Sequence, residues 1–256
     1  MEIISVINQK GGVGKSTTST AIGSGLVKRG KKVLLIDLDA QGNLSSTFPI
    51  ESSSDFNAFG VMRKTCTISE AIQKTDHGDI IQSSPYLSNP DLIFADTPVG
   101  KELRLSEILS TSKLKYDYII IDTPPSLGVL TLSALTASNS IIIPAQADTF
   151  SIQGIAQLFE TLKAIKTVYN KKLTIRGFVL TRHNPRAIIS KNATETLGRL
   201  AESSKTKLFK TYIRECTAIK EAHAMKQSIF DYAPKSNAAK DYNDLIDEIF
   251  GKDVEK

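Results

Sequence analysis

Cysteine is nearly absent from this chain. Its only two, Cys66 and Cys216, stand far apart and outside any CxxC pair. That argues against a disulfide scaffold, a zinc site and an iron–sulfur cluster, and it suits a reducing cytosol. Long apolar runs are missing too. The most apolar stretches, Tyr118–Asp122 and Ser140–Ala145, are far too short to span a bilayer. The opening Met-Glu-Ile-Ile carries neither the basic nor the apolar region of a secretion signal. No repeat, low-complexity block or Pro/Gly linker interrupts the 256 residues, so one domain is the simpler expectation. The three histidines, His77, His183 and His223, fall in no ligand or triad spacing.

What is present is the balance of a globular protein, 41% hydrophobic and 23% charged. Unbroken β-branched runs at Ile3–Asn8, Lys32–Asp37, Tyr118–Asp122, Ser140–Ala145 and Leu173–Leu180 predict strands buried on both faces. Helical periodicity fills the spaces between them, at Ser16–Lys28, Glu102–Ser110, Leu130–Ala137, Ile152–Val168, Ile188–Glu202 and Ala238–Phe250. Strands alternating with helices predict an α/β fold, a mostly parallel twisted sheet with helices on both faces. Ser45–Phe59, rich in serine and irregular, reads as a mobile loop.

Net charge is +5, and its distribution says more than its size. Arg176–Lys226 holds eleven Lys/Arg against four Asp/Glu, a net of +7, so the rest of the chain sums to −2. From Asp241 onward six acids face two lysines. The basic segment is either a footprint for nucleic acid or a solvated lysine-rich face.

The strongest local signal is Lys10-Gly11-Gly12-Val13-Gly14-Lys15-Ser16-Thr17, between a strand and a helix. Glycines let backbone N–H groups approach a phosphate, and the helix N-terminus adds its positive end. Lys15 then reaches the β- and γ-phosphates, and the Ser16 hydroxyl can ligate Mg²⁺. Gln9 stands where the ordinary P-loop has glycine, and Lys10 adds a second lysine at the loop entrance. Asp37-Leu38-Asp39-Ala40-Gln41-Gly42-Asn43 follows the second strand. Its carboxylates sit at the strand end where ligands bind in open α/β sheets, or else act as caps and turn residues. Tyr118–Asp122 is an apolar strand ending in Asp, an arrangement that holds Mg²⁺ through a water. Thr123-Pro124-Pro125 after it is either a phosphate-sensing switch or a rigid turn.

These residues resemble the ParA/Soj type of DNA-partitioning ATPase, a P-loop branch with the deviant KGGxGK[ST] loop. The resemblance runs from Ile3 to about Phe250. It implies ATP and Mg²⁺ as ligands and slow hydrolysis of ATP. It also implies an ATP-dependent homodimer in which Lys10 contacts the partner subunit's nucleotide. Asp39 would orient or deprotonate the attacking water, and Asp37 would support the magnesium region beside Ser16 and Asp122. The implied partners are non-specific double-stranded DNA and a ParB-like centromere-bound activator, with the protein cytoplasmic and nucleoid-associated. Candidate DNA contacts are Arg186, Lys191, Arg199, Arg214 and Lys220 in the basic segment. Ile213–Ala222 departs from the family pattern, with Arg214 in place of a proline and Ala218 in place of an arginine. That puts the adenine contacts and one DNA-binding position in doubt.

Relatives of other function fit less well. A MinD-type membrane switch needs a basic amphipathic tail, whereas Asp244–Lys256 is acidic. The nitrogenase iron protein and cluster carriers need ligating cysteines, and the tyrosine-kinase members a C-terminal tyrosine cluster. The P-loop begins at residue 9, so no N-terminal DNA-reading domain is expected. A metabolic P-loop ligase and a binding module with structural nucleotide stay open. Asp39, Ser16 and Asp122 argue against the second.

Overall fold

Short runs of Ile, Leu and Val set the layers, because a parallel strand covered on both faces has no polar side to offer. The computed structural model describes residues 1–51, 55–97, 99–147, 149–185 and 188–252. In chain order the elements are β1 (Glu2–Val6), α1 (Lys15–Lys28), β2 (Val33–Asp37), α2 (Ala58–Arg63), β3 (Asp79–Ile81), α3 (Pro90–Ile93), α4 (Arg104–Thr111) and β4 (Tyr118–Asp122). Then come α5 (Val129–Ala137), β5 (Ser140–Ala145), α6 (Thr149–Val168), β6 (Thr174–Leu180), α7 (Ile188–Ser203), α8 (Thr217–Ala224), α9 (Ile229–Tyr232) and α10 (Asn237–Phe250). The strands form one six-stranded sheet in the order β3-β2-β4-β1-β5-β6, and every pairing within it is parallel.

Alternation along each strand assigns its side chains to opposite faces. Ile4, Val6, Leu35 and Ile120 pack with Ile22 and Leu26 of α1 and with Tyr242, Leu245 and Ile246 of α10. Leu34, Ile36, Ile119 and Ile121 turn the other way, onto Met62, Leu105, Leu109 and Ala134 from α2, α4 and α5. Farther along the sheet Ile141 and Ile143 meet Ile155 and Leu158 of α6 and Leu197 of α7. The result is the expected α/β layering. Among the described residues no helix is long and apolar enough to cross a membrane.

One expectation needs correction. The stretch read as a mobile loop from Ser45 begins as an anchored turn. Ser45–Thr47 forms a short 3₁₀ turn, and the flanking Leu44 and Phe48 are buried in the core. At its far end the Asn57 side chain caps α2 by accepting the Gly60 amide at 3.1 Å. Serine-rich composition hid the buried Phe48, while residues 52–54 of the Ser45–Phe59 stretch lie outside the described residues.

Candidate nucleotide site

The sheet order decides what meets at the carboxyl ends of the strands. β4 lies between β1 and β2, with Asp122 in register with both Val6 and Asp37. The loop after β1, the carboxylates after β2 and the aspartate ending β4 therefore converge.

The loop is shaped before any ligand arrives. Asn8 is buried; its amide donates to the Pro144 carbonyl at 2.7 Å, and its side-chain oxygen accepts the Lys10 N–H at 3.0 Å. Gly14 takes a left-handed conformation (φ 85°) as the residue before α1, a position costly for any side chain. No side chain caps that helix start. The Thr181 hydroxyl, at the end of β6, braces the loop by donating to the Val13 carbonyl at 2.7 Å, and Gln146 Nε2 donates to the Gly12 carbonyl at 3.2 Å. Lys15 is 6% exposed, and its Nζ donates to the Lys10 carbonyl at 3.2 Å. Burial lowers its pKa, while the Asp122 and Asp39 carboxylates oppose that shift.

The acids divide into held and unheld oxygens. Asp37 Oδ2 accepts both the backbone N–H and the hydroxyl of Ser45, at 2.8 and 2.7 Å, and Oδ1 accepts the Asp39 N–H at 3.1 Å. Burial is the main cause raising Asp37 to about 6. Asp122 is fully buried; Oδ1 accepts the Ser19 hydroxyl at 3.1 Å, and Oδ2 has no hydrogen-bond partner. Burial first, then the Asp37 carboxylate, pushes Asp122 to about 8, against the Ser16 hydroxyl and the Lys15 charge. Asp39 is 7% exposed and faces the cleft.

That cleft has a volume of about 480 Å³. Gly11, Gly12, Gly14, Lys15, Ser16 and Thr17 form one side, and Thr181, Arg182 and Ile213–Cys216 form another. Lys10 is half-buried and does not line the cleft that Lys15 lines, and Val13 is fully buried behind the loop. The loop residues, Asp37, Asp39 and Asp122 thus come together as one site.

The described candidate DNA contacts lie on more than one element. Lys191 and Arg199 are exposed on α7, Lys220 is exposed at the cleft rim, and Arg186 lies outside the described residues. Arg214 lines the cleft and is tied to Asp241, with Nε and Nη2 donating at 3.0 and 2.6 Å. Glu248 of the acidic tail accepts the backbone amides of Lys210 and Thr211 at 2.8 and 2.9 Å. Sequence reasoning missed Ser19, Ser45, Gln146 and Thr181. Only Ser19 left a readable signal, one helical turn after Ser16.

The family described as AAA domain matches residues 1–175. The sporulation initiation inhibitor protein Soj of Bacillus subtilis is 36% identical over 251 residues, covering 97% of this chain and 98% of that protein. The chromosome-partitioning ATPase Soj of Treponema pallidum is 33% identical over 252 residues, covering 98% and 97%. A crystal structure of cobyrinic acid a,c-diamide synthase from Mycobacterium smegmatis, with bound ATP analog and magnesium, has a TM-score of 0.82 at 28% identity, covering 96% and 93%. Fold and site together define a P-loop ATPase. Within that class the chain belongs to the AAA domain family and to the Soj/ParA partitioning ATPases.

Proposed function

We propose that this chain is an ATP-driven switch for DNA partitioning. ATP and Mg²⁺ bind in the cleft, two chains close on each other across their nucleotides, and the dimer binds double-stranded DNA without sequence preference. Hydrolysis is slow in the protein alone. A ParB-like centromere-bound partner stimulates it and resets the switch, at the nucleoid.

The residues fit the ligands. Backbone N–H groups of the Gly11–Thr17 loop, which lines the cleft, and the Lys15 ammonium would hold the β- and γ-phosphates. Asp122 Oδ2, buried and unpartnered, is an acceptor in want of a cation or its water, with the Ser16 hydroxyl beside it. Asp37 lies in register next to it. Mg²⁺, when bound, neutralises charge across the β- and γ-oxygens. Asp39 faces the same cleft and orients the attacking water.

The observation that carries the reading is Lys10. It stands half-buried at the loop entrance, the second lysine of the Lys10–Thr17 loop. A second lysine there would serve a second chain, as an arginine finger does in trans, and a two-fold interface would supply two such contacts. Light scattering with ATP tests this on Lys10→Ala. The variant is expected to bind ATP yet stay monomeric where the parent protein dimerises. A normal ATP-dependent dimer would remove Lys10 from the interface.

A further inference from the structure

Asp37 ends β2, and Asp39 lies two residues into the loop that follows, where its own carboxylate accepts the Gln41 N–H at 3.1 Å. Two serines, one farther along that loop and one after β3, grip the pair. Ser45 donates its N–H and its hydroxyl proton to the same oxygen of Asp37, at 2.8 and 2.7 Å. The Ser45 oxygen in turn accepts the Ser83 N–H at 2.8 Å. The Ser83 hydroxyl donates to the Asp39 backbone carbonyl at 2.5 Å, a carbonyl that also accepts the Gly42 N–H at 2.8 Å. Ser83 follows edge strand β3, which is bound in register to β2, so the grip is anchored in the sheet. Neither Ser45 nor Ser83 is among the residues that line the cleft.

We propose that Ser45 and Ser83 are positioning residues for ATP hydrolysis: together they fix Asp37 and Asp39 against the cleft, and Ser83 sets the backbone from which Asp39 reaches the water. Each hydroxyl proton has a single acceptor in this chain of bonds, so each serine can be removed and restored separately. The inference rests on the ATPase reading above. A displacement of about 1 Å in a reacting arrangement costs up to about a hundredfold in rate while leaving binding largely intact.

The test is steady-state ATP turnover and separate nucleotide affinity for the parent protein, Ser45→Ala, Ser83→Ala, Ser83→Thr and the double Ala variant. Turnover by the parent is measured first, and its absence would end the ATPase reading rather than this one. Ser83→Ala and Ser45→Ala are expected to lose about tenfold or more in kcat, with nucleotide affinity within about twofold of the parent. Ser83→Thr keeps the hydroxyl and is expected to restore turnover. The double variant should be no slower than the slower single one, because both act through one bonded unit. Unchanged kcat in both Ala variants overturns the proposal. So does a loss of affinity as large as the loss of kcat, which would mean a merely structural role. If Ser83→Ala does not fold, Ser83→Cys keeps the volume with a weaker donor, and a parental kcat there overturns it equally.

Discussion

Lys15 is a charged side chain whose burial costs the fold something, at the centre of the candidate site. It is nearly buried, desolvation pulls its pKa down, and its neighbours are two carboxylates and a backbone carbonyl. On the proposed reading, phosphate oxygens would be its principal partner. Lys15→Ala is therefore expected to weaken ATP binding by about ten- to a hundredfold, the usual worth of charged hydrogen bonds. The melting temperature should move by no more than about 4 °C, because the lost group supports little else. Labelled-ATP titration and a thermal melt check both halves, and parental affinity would refute the assignment of Lys15. Thr181 is the opposite kind of residue. Its hydroxyl holds the Val13 carbonyl from 168 positions away, and no local spacing could announce that. That the Gly11–Thr17 loop, Asp37, Asp39 and Asp122 come together was legible, because each has a local sequence pattern at a strand end. Ser45, Gln146 and Thr181 were not, because tertiary approach alone gives them work.

Among the elements, the long buried strands were readable and the short pieces were not. β4 and β5 match their β-branched runs to the residue, Tyr118–Asp122 and Ser140–Ala145. β3 was missed: three residues, Asp79–Ile81, are too few to show a period. The four-residue helices α3 and α9 are likewise below that limit. Packing between elements yields a sharper expectation. A Cβ on Gly25 of α1 would lie 2.3 Å from Ile246 Cδ1 of α10 and 3.0 Å from Phe230 Cε2 of α9. A Cβ on Gly198 of α7 would meet nothing within 4 Å. Gly25→Ala should destabilise by about 1–3 kcal/mol, through overpacking that outweighs its gain in helix propensity. Gly198→Ala should stabilise by about 0.5–1 kcal/mol. Denaturant midpoints that moved in the same direction for both would contradict the packing described for α1.

For the whole molecule, the sequence's charge map needed the structure to be read correctly. The +7 of Arg176–Lys226 is not one free surface. Arg214 is paired with Asp241 of the acidic tail, and Arg176 with Glu2. Composition counts charges without seeing which ones the acidic tail answers. Among the described cations of that segment Arg182, Lys191, Arg199, Lys205, Lys207, Lys210, Lys220 and Lys226 remain exposed, a limited set of phosphate contacts for one chain. Two chains joined across ATP would double them on one rigid body and raise affinity through effective concentration. The most direct measurement is therefore DNA affinity over a salt series, for the parent protein and Lys10→Ala, each with ADP and with a slowly hydrolysed ATP analogue. The account predicts tight, sequence-indifferent and salt-dependent binding for the parent with the analogue alone. The slope of log K against log salt should steepen by about 0.9 for each added phosphate contact. Equal affinity and equal slope with ADP and with the analogue, or DNA binding by Lys10→Ala as strong as the parent's, would contradict it.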